Sequence, residues 1–159
     1  MTSCDVSILK KSDLWDAMDA PPIYGDLCAL TLDRAAFIHE TEVGITLTDD
    51  AAIQALNKQH RGKDKATNVL SFPAYDPDLP HPAGAPVELG DIVLAYETIA
   101  REATEQGKSF HDHVTHLIIH GTLHLIGHDH EQDDEAETME ALEVRILAEL
   151  GIKNPYADE

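Results

Sequence analysis

Histidines are concentrated in one short stretch of this sequence. The chain has ten histidines among 159 residues, and seven of them lie between His111 and His130, in the run HDHVTHLIIHGTLHLIGHDH. Neutral imidazole is the commonest side-chain ligand for metals in proteins. A single histidine is more often a surface residue or a hydrogen-bonded core residue, so the spacing within the run decides whether a metal site is expected.

The spacing favours a metal site with three histidine ligands. His120 and His124 are four residues apart, which places them one above the other on the same face of a helix. Gly127 can then reverse the chain, so that His130 returns to supply a third nitrogen. The pattern H-x3-H-x2-G-x2-H therefore predicts a metal bound by His120, His124 and His130.

The chemistry of this ligand set favours catalytic zinc. Three protein nitrogens with one open position are typical of a catalytic zinc site, whereas structural zinc usually has four ligands, often cysteines. Cys4 and Cys28, the two cysteines of the chain, lie far from this stretch. We expect one Zn²⁺ per chain, with His116 and His128 lining the site or contacting its ligands.

Gly121 argues against one kind of zinc chemistry. The same histidine spacing occurs in metal-dependent peptidases of the HExxHxxGxxH type, in which the glutamate after the first histidine is the general base. This chain has Gly121 at that position, so peptidase chemistry of that design is not expected. Zinc would still lower the pKa of its bound water towards about 7 and polarise a phosphoryl or carbonyl oxygen.

Charge is distributed unevenly along the chain. The net charge of −19 disfavours broad affinity for nucleic acids. Four of the eleven lysines and arginines nevertheless lie within residues 58–65 (KQHRGKDK), while acidic residues crowd residues 131–149. The basic cluster could present one positive strip to a phosphate backbone, although composition alone favours a solvated turn at a helix end.

Strands and helices alternate in the predicted order of elements. Strands are predicted at 43–48, 67–72 and 89–95, with a short alternating stretch at 6–9. Helices are predicted at 24–40, 51–59, 96–106 and 110–126, followed by a last helix from 133 or 134. The proline-rich residues 74–87 are predicted to form a surface loop. This order predicts an α+β or α/β fold with one small sheet, in a single domain over residues 1–159.

The two C-terminal helices have clear sequence signals. Ser109 can cap the histidine-bearing helix, and Gly127 can end it. One side of the last helix is predicted to be apolar, with Met139, Leu142, Ile146 and Leu150.

Nothing in the sequence predicts a membrane protein. No apolar run approaches the roughly 20 residues that a membrane-spanning helix needs. The first residues do not resemble a cleaved signal, and two cysteines without CxxC spacing are expected to stay reduced. We therefore expect a cytoplasmic protein.

Three segments resemble a known family. HGTLHLIGHDH (120–130), LNKQHRGKDKATNVLSFP (56–73) and LGDIVLAYE (89–97) resemble motifs of the YbeY family, bacterial single-strand-specific endoribonucleases that act in ribosomal RNA maturation. The resemblance extends from about Val43 to Leu150. It implies a zincin-like α+β fold, in which a small mixed sheet packs around a central metal-bearing helix. It also implies zinc on His120, His124 and His130.

The resemblance further implies a substrate and a catalytic residue. The family activity is hydrolysis of phosphodiester bonds, in 16S 3′-end processing and ribosome quality control. The implied partners are single-stranded RNA, chiefly rRNA, and ribosomal proteins. DNA is not an implied partner. The family's arginine falls on Arg61, which could place its guanidinium against a phosphodiester or could instead tie the turn to the core. Ala66, Asn68 and His128 stand where the family often has Pro, Asp and Tyr.

Two other functions are compatible with parts of this pattern. A metal-dependent hydrolase of a peptide or small ester would use the zinc but not the basic cluster. A non-enzymatic ribosome-assembly factor would use the basic cluster, with zinc only stabilising the fold.

Overall fold

The computed structural model describes residues 3–18, 21–80, 82, 84–128 and 132–156. Its sheet has the strand order β1-β2-β4-β3. The strands are β1 (Cys4–Lys10), β2 (Thr41–Thr48), β3 (Val69–Pro73) and β4 (Val87–Ala95). β1, β2 and β4 are parallel, and β3 runs antiparallel to β4. The expectation of one small mixed sheet is confirmed.

The described part of the chain contains five α-helices besides this sheet. They are α1 (Tyr24–Arg34), α2 (Asp50–Arg61), α3 (Tyr96–Gln106), α4 (Phe110–Leu125) and α5 (Asp133–Glu149), with a short 3-10 helix at Asp13–Ala17. The mixed α+β architecture is therefore confirmed. None of these helices has the length and apolar character needed to cross a membrane.

Several predicted boundaries were wrong. The first helix ends at Arg34 rather than residue 40, because Ala36 takes a left-handed conformation (φ 60°) that breaks the helix. Ile38 is accordingly outside the helix and 60% exposed. The strand predicted from residue 67 begins at Val69, and Val87, assigned to the loop, begins β4. Leu150 is exposed, because α5 ends one residue before it.

Helix α4 lies in the middle of the fold. It packs against β3 and β4 on one side and against α1, α3 and α5 on the others. Ser109 caps it by accepting a hydrogen bond from the Asp112 backbone N–H at 3.0 Å, as predicted. Gly127 follows its end with φ 99°, a conformation that favours glycine. Ile118 and Ile119 are both fully buried and belong to two different apolar clusters, so α4 is packed on more than one side.

Candidate metal centre and cleft

His120 and His124 bring two ring nitrogens together near the C-terminal end of α4. Their Nε2 atoms are 3.0 Å apart. The other nitrogen of each ring has an oxygen partner: His120 Nδ1 is 2.7 Å from Glu143 Oε1, and His124 Nδ1 is 2.9 Å from the main-chain oxygen of His128. Both rings are therefore oriented by contacts on the side away from the Nε2 pair.

These partners determine which nitrogens can bind a metal. A carbonyl or ionised carboxylate oxygen only accepts hydrogen bonds, so His120 and His124 each donate from Nδ1. In neutral imidazoles the two Nε2 atoms then carry lone pairs, which face each other at 3.0 Å. A cation bound to both nitrogens would relieve that repulsion, and zinc binds imidazole nitrogens at about 2.0–2.1 Å. The pair therefore fits a zinc ion chemically and sterically.

The predicted third ligand, His130, lies outside the described residues. Within the described ranges, no group of three His, Cys, Asp or Glu residues could hold a metal ion. The structure thus brings together His120 and His124, and the role of His130 stays a prediction.

His116 and His128 have different surroundings. His116 Nε2 lies 3.2 Å from Glu143 Oε1 and 3.2 Å from the Tyr156 hydroxyl, so this ring faces the carboxylate. His128 lines the cleft beside His124, and its main-chain oxygen orients the His124 ring.

Glu143 was not identified from the sequence. Its side chain is fully buried, and its carboxylate contacts His116, His120 and Tyr156. Burial by itself raises the pKa of Glu143, but hydrogen bonds from His116 and His120 outweigh burial and bring the pKa to about 2. The residue falls between Met139 and Ile146 on the apolar side of α5, and an acidic residue at an apolar position was the available signal.

A cleft of about 660 Å³ opens beside the paired histidines. Its lining includes three cationic side chains, Arg61, Lys63 and Lys65, and no acidic side chain among the described residues. Arg61 is exposed at the last residue of α2, and no other described residue forms a hydrogen bond or ion pair with it. The described lining of the cleft is therefore positively charged in a chain whose net charge is −19.

Contacts with α2 position residues 62–65, the part of the basic cluster that follows the helix. Gly62 ends α2 in a left-handed conformation (φ 70°), and Asn57 Nδ2 donates to the Lys65 main-chain oxygen at 3.0 Å. Asp64 instead accepts a hydrogen bond from Gln54 Nε2 at 3.0 Å. Neither Asp64 nor Gln54 lines the cleft, so the one acidic residue of the turn does not neutralise it.

Gly121 lies where α4 comes close to the sheet. A Cβ atom at this position would be 3.1 Å from Ile92 Cγ2 and 3.2 Å from Ser71 Oγ. These contacts are tighter than ordinary van der Waals packing, so a side chain here would require Ile92 and Ser71 to shift. Packing against the sheet therefore disfavours a glutamate general base next to His120, and the sequence has none there.

Comparison with known proteins identifies the family. The sequence model of endoribonuclease YbeY matches residues 13–151 of this chain. The chain belongs to the YbeY family. The resemblance seen in the three motifs is therefore confirmed.

Named relatives are similar over most of the chain. A protein from Bradyrhizobium sp. (strain BTAi1) is 50% identical over 154 residues, which are 95% of this chain and 91% of the relative. One from Rhodopseudomonas palustris (strain BisB18) is 56% identical over 120 residues, 76% of this chain and 71% of the relative. One from Magnetococcus marinus is 57% identical over 121 residues, which are 72% of this chain and 82% of the relative. All three are named Endoribonuclease YbeY.

A solved structure supports the fold. The solution structure of TM1509 from Thermotoga maritima aligns with a TM-score of 0.55 and 24% sequence identity, over 92% of this chain and 91% of that one. At this identity the likeness concerns the fold alone.

Proposed function

We propose that this chain is a single-strand-specific, metal-dependent endoribonuclease that acts in ribosomal RNA maturation, including 16S 3′-end processing and ribosome quality control. The observation that carries the proposal is the cleft, which combines the paired imidazoles with three cations and no described acidic residue. A polyanionic substrate accounts for that combination in a chain of net charge −19. Relatives named endoribonuclease support RNA as that polyanion.

We infer that zinc is the metal, one ion per chain, with His120, His124 and His130 as ligands. The fold is then zincin-like, with α4 as the central metal-bearing helix. The facing Nε2 lone pairs of His120 and His124 support this assignment. Bound zinc supplies a Lewis acid for a phosphoryl oxygen and acidifies a water molecule.

The cationic residues bind and orient the RNA backbone. Arg61 presents its guanidinium to the non-bridging oxygens of the scissile phosphodiester and stabilises the charge that develops on them. Lys63 and Lys65 contact neighbouring phosphates. A cleft of about 660 Å³ has room for a few nucleotides of an unpaired strand, whose bases and backbone are accessible to side chains.

The proposal extends to the domain organisation, the cellular location and the partners of the protein. Residues 1–159 form a single endoribonuclease domain, and the protein acts in the cytoplasm. Its partners are single-stranded RNA, chiefly rRNA, and ribosomal proteins, with no role for DNA.

The test is cleavage of single-stranded RNA by the purified protein. The controls are the same sequence as duplex RNA, as single-stranded DNA, and a set of peptides and small esters. We expect cleavage of the single-stranded RNA only, its loss with a chelator and its return with zinc. Hydrolysis of a peptide or ester instead would indicate another hydrolase, and RNA binding without cleavage would indicate an assembly factor.

A further inference from the structure

We propose that Glu143 is a positioning residue, which holds His120 in the tautomer and orientation needed to bind a metal through Nε2. The inference rests on the proposed metal site. It assigns to α5 and the C-terminal segment a direct part in building a site whose described histidines both lie on α4.

The geometry places one carboxylate at the centre of three donors. Glu143 Oε1 lies 2.7 Å from His120 Nδ1 and 3.2 Å from His116 Nε2. The other oxygen, Oε2, accepts from the Tyr156 hydroxyl at 2.8 Å. The Glu143 side chain is fully buried, so these contacts replace the water that a carboxylate would otherwise need.

Packing alone does not explain a glutamate at this position. Glu143 lies on the side of α5 that carries Met139 and Ile146, both buried in the apolar contact between α4 and α5. An apolar side chain would fill the same space without the cost of burying a charge. What the carboxylate adds is a fixed acceptor directed at His120 Nδ1.

That acceptor selects the His120 tautomer. Because an ionised carboxylate cannot donate, the proton of neutral His120 must stay on Nδ1, and the lone pair must stay on Nε2. Nε2 is the atom that meets His124 Nε2 at 3.0 Å. A carboxylate behind a ligating histidine also makes the imidazole more basic and therefore a better ligand.

Tyr156 and His116 hold the carboxylate in place from its other sides. Tyr156 belongs to the segment after α5, beyond the residues 13–151 that match the family model. Its hydroxyl contacts both Glu143 and His116, so the C-terminal segment closes the carboxylate against solvent. Tyr156 thereby supports the orientation of His120 without touching it.

Glu143→Gln tests the proposal, with Glu140→Gln as the matched control. Glu140 lies one turn earlier on α5 and is exposed, so the control makes the same charge change outside the buried contacts. Zinc affinity is measured by competition with a chelator, and unfolding temperature is measured on both variants. We expect Glu143→Gln to lose about 10- to 100-fold in zinc affinity, the usual effect of removing a partner of a ligating histidine. Glu140→Gln should match the parent.

A second measurement is made on the metal-free parent protein. It therefore depends neither on bound zinc nor on whether the Glu143→Gln variant folds. Nitrogen chemical shifts of the metal-free parent report which His120 nitrogen carries the proton, and we expect Nδ1. Protonation at Nε2 in the neutral ring would overturn the proposal, as would parental zinc affinity in a folded Glu143→Gln protein. If Glu143→Gln does not fold, Tyr156→Phe takes its place and should weaken zinc binding measurably; parental affinity in that variant would likewise overturn the proposal.

The two proposals fail in different ways. A protein that shows the expected His120 tautomer and loses zinc on Glu143→Gln, but cleaves no RNA, would refute the proposed function alone. A protein that cleaves RNA but carries the His120 proton on Nε2 would refute the positioning role alone.

Discussion

The histidines near the end of α4 differ mainly in what their second ring nitrogen contacts. His120 and His124 each direct Nδ1 to an acceptor and Nε2 to each other. His116, one turn earlier, directs Nε2 to Glu143 and Tyr156 instead. The hydrogen-bond partners, rather than the residue type, therefore distinguish the two proposed metal ligands from His116.

We predict that His124→Ala abolishes metal binding. The change removes one of the two facing Nε2 atoms, so the bound zinc should fall from about one equivalent per chain towards none. Elemental analysis of the purified variant measures this directly. Full retention of zinc would exclude His124 as a ligand.

His128→Ala and His116→Ala are the matched controls. Alanine at 128 keeps the main-chain oxygen that orients His124, and His116 does not face the Nε2 pair. Both variants should keep most of the zinc. Loss as complete as that of His124→Ala in either one would mean that the ligand set was chosen wrongly.

The second prediction concerns Arg61. If its guanidinium stabilises the reacting phosphodiester, Arg61→Ala should lower RNA cleavage by about 100-fold or more, the scale expected for one preorganised donor. Arg61→Lys should restore little, because a point charge cannot reproduce the planar fork. Zinc content and unfolding temperature should stay at the parent values, since Arg61 is exposed and forms no hydrogen bond or ion pair with another described residue.

Lys58→Ala is the control for Arg61. Lys58 lies one turn earlier on the same helix, is exposed, and does not line the cleft. The Lys58→Ala variant should cleave RNA at the parent rate. An Arg61→Ala protein that is folded, zinc-loaded and fully active would remove Arg61 from the mechanism, and one that melts early would support a structural role.

At the scale of elements, the site depends on how closely α4 approaches the sheet. Gly121 lies between His120 and His124 in the sequence and faces Ile92 of β4 and Ser71 of β3. Its main-chain oxygen accepts a hydrogen bond from Ser71 Oγ at 3.3 Å. The absence of a side chain therefore sets the distance of α4 from the sheet at the level of the site.

We predict that Gly121→Ala destabilises the protein. The added Cβ would lie 3.1–3.2 Å from Ile92 and Ser71, and overpacking of this kind costs about 1–3 kcal/mol. Alanine in a helix gains up to about 1 kcal/mol over glycine, so we expect a net loss of up to about 2 kcal/mol. Urea unfolding of the metal-free protein measures the effect without a contribution from zinc. Gly25→Ala, also within a helix, is the control because its Cβ would meet only Cys4 O at an ordinary 3.4 Å. The control should be as stable as the parent or up to about 1 kcal/mol more stable.

The elements that the sequence predicted well are those with local signals. α4 has an apolar period, a serine cap and a terminal glycine, and its observed end lies one residue from the predicted one. The end of α1 was missed because the left-handed Ala36 carries no such signal. Glu143 was missed for another reason: its role depends on contacts with His120 and His116 across 23 and 27 residues, which periodicity within α5 cannot reveal.

For the molecule as a whole, the sign of the charge at the cleft is opposite to the net charge. The chain carries −19, yet Arg61, Lys63 and Lys65 line the cleft and Asp64 turns away to Gln54. The proposed RNA substrate would therefore be repelled at long range and held by short-range contacts with these cations, whose strength depends on salt. The sequence predicted the basic cluster. Which of its lysines line the cleft could not be predicted, because this depends on how residues 62–65 pack against α2.

The last prediction is the salt dependence of RNA binding. Each phosphate neutralised on a single strand contributes about −0.7 to the slope of log K against log salt, so three cations predict a slope of about −2. Binding of a single-stranded RNA to the metal-free protein, measured from low to moderate salt, gives this slope without cleavage. Lys63→Gln should make it shallower by about 0.7. Lys58→Gln makes the same charge change outside the cleft lining and should leave the slope unchanged. Equal changes in both variants would show that RNA senses the overall charge of the protein rather than the cleft.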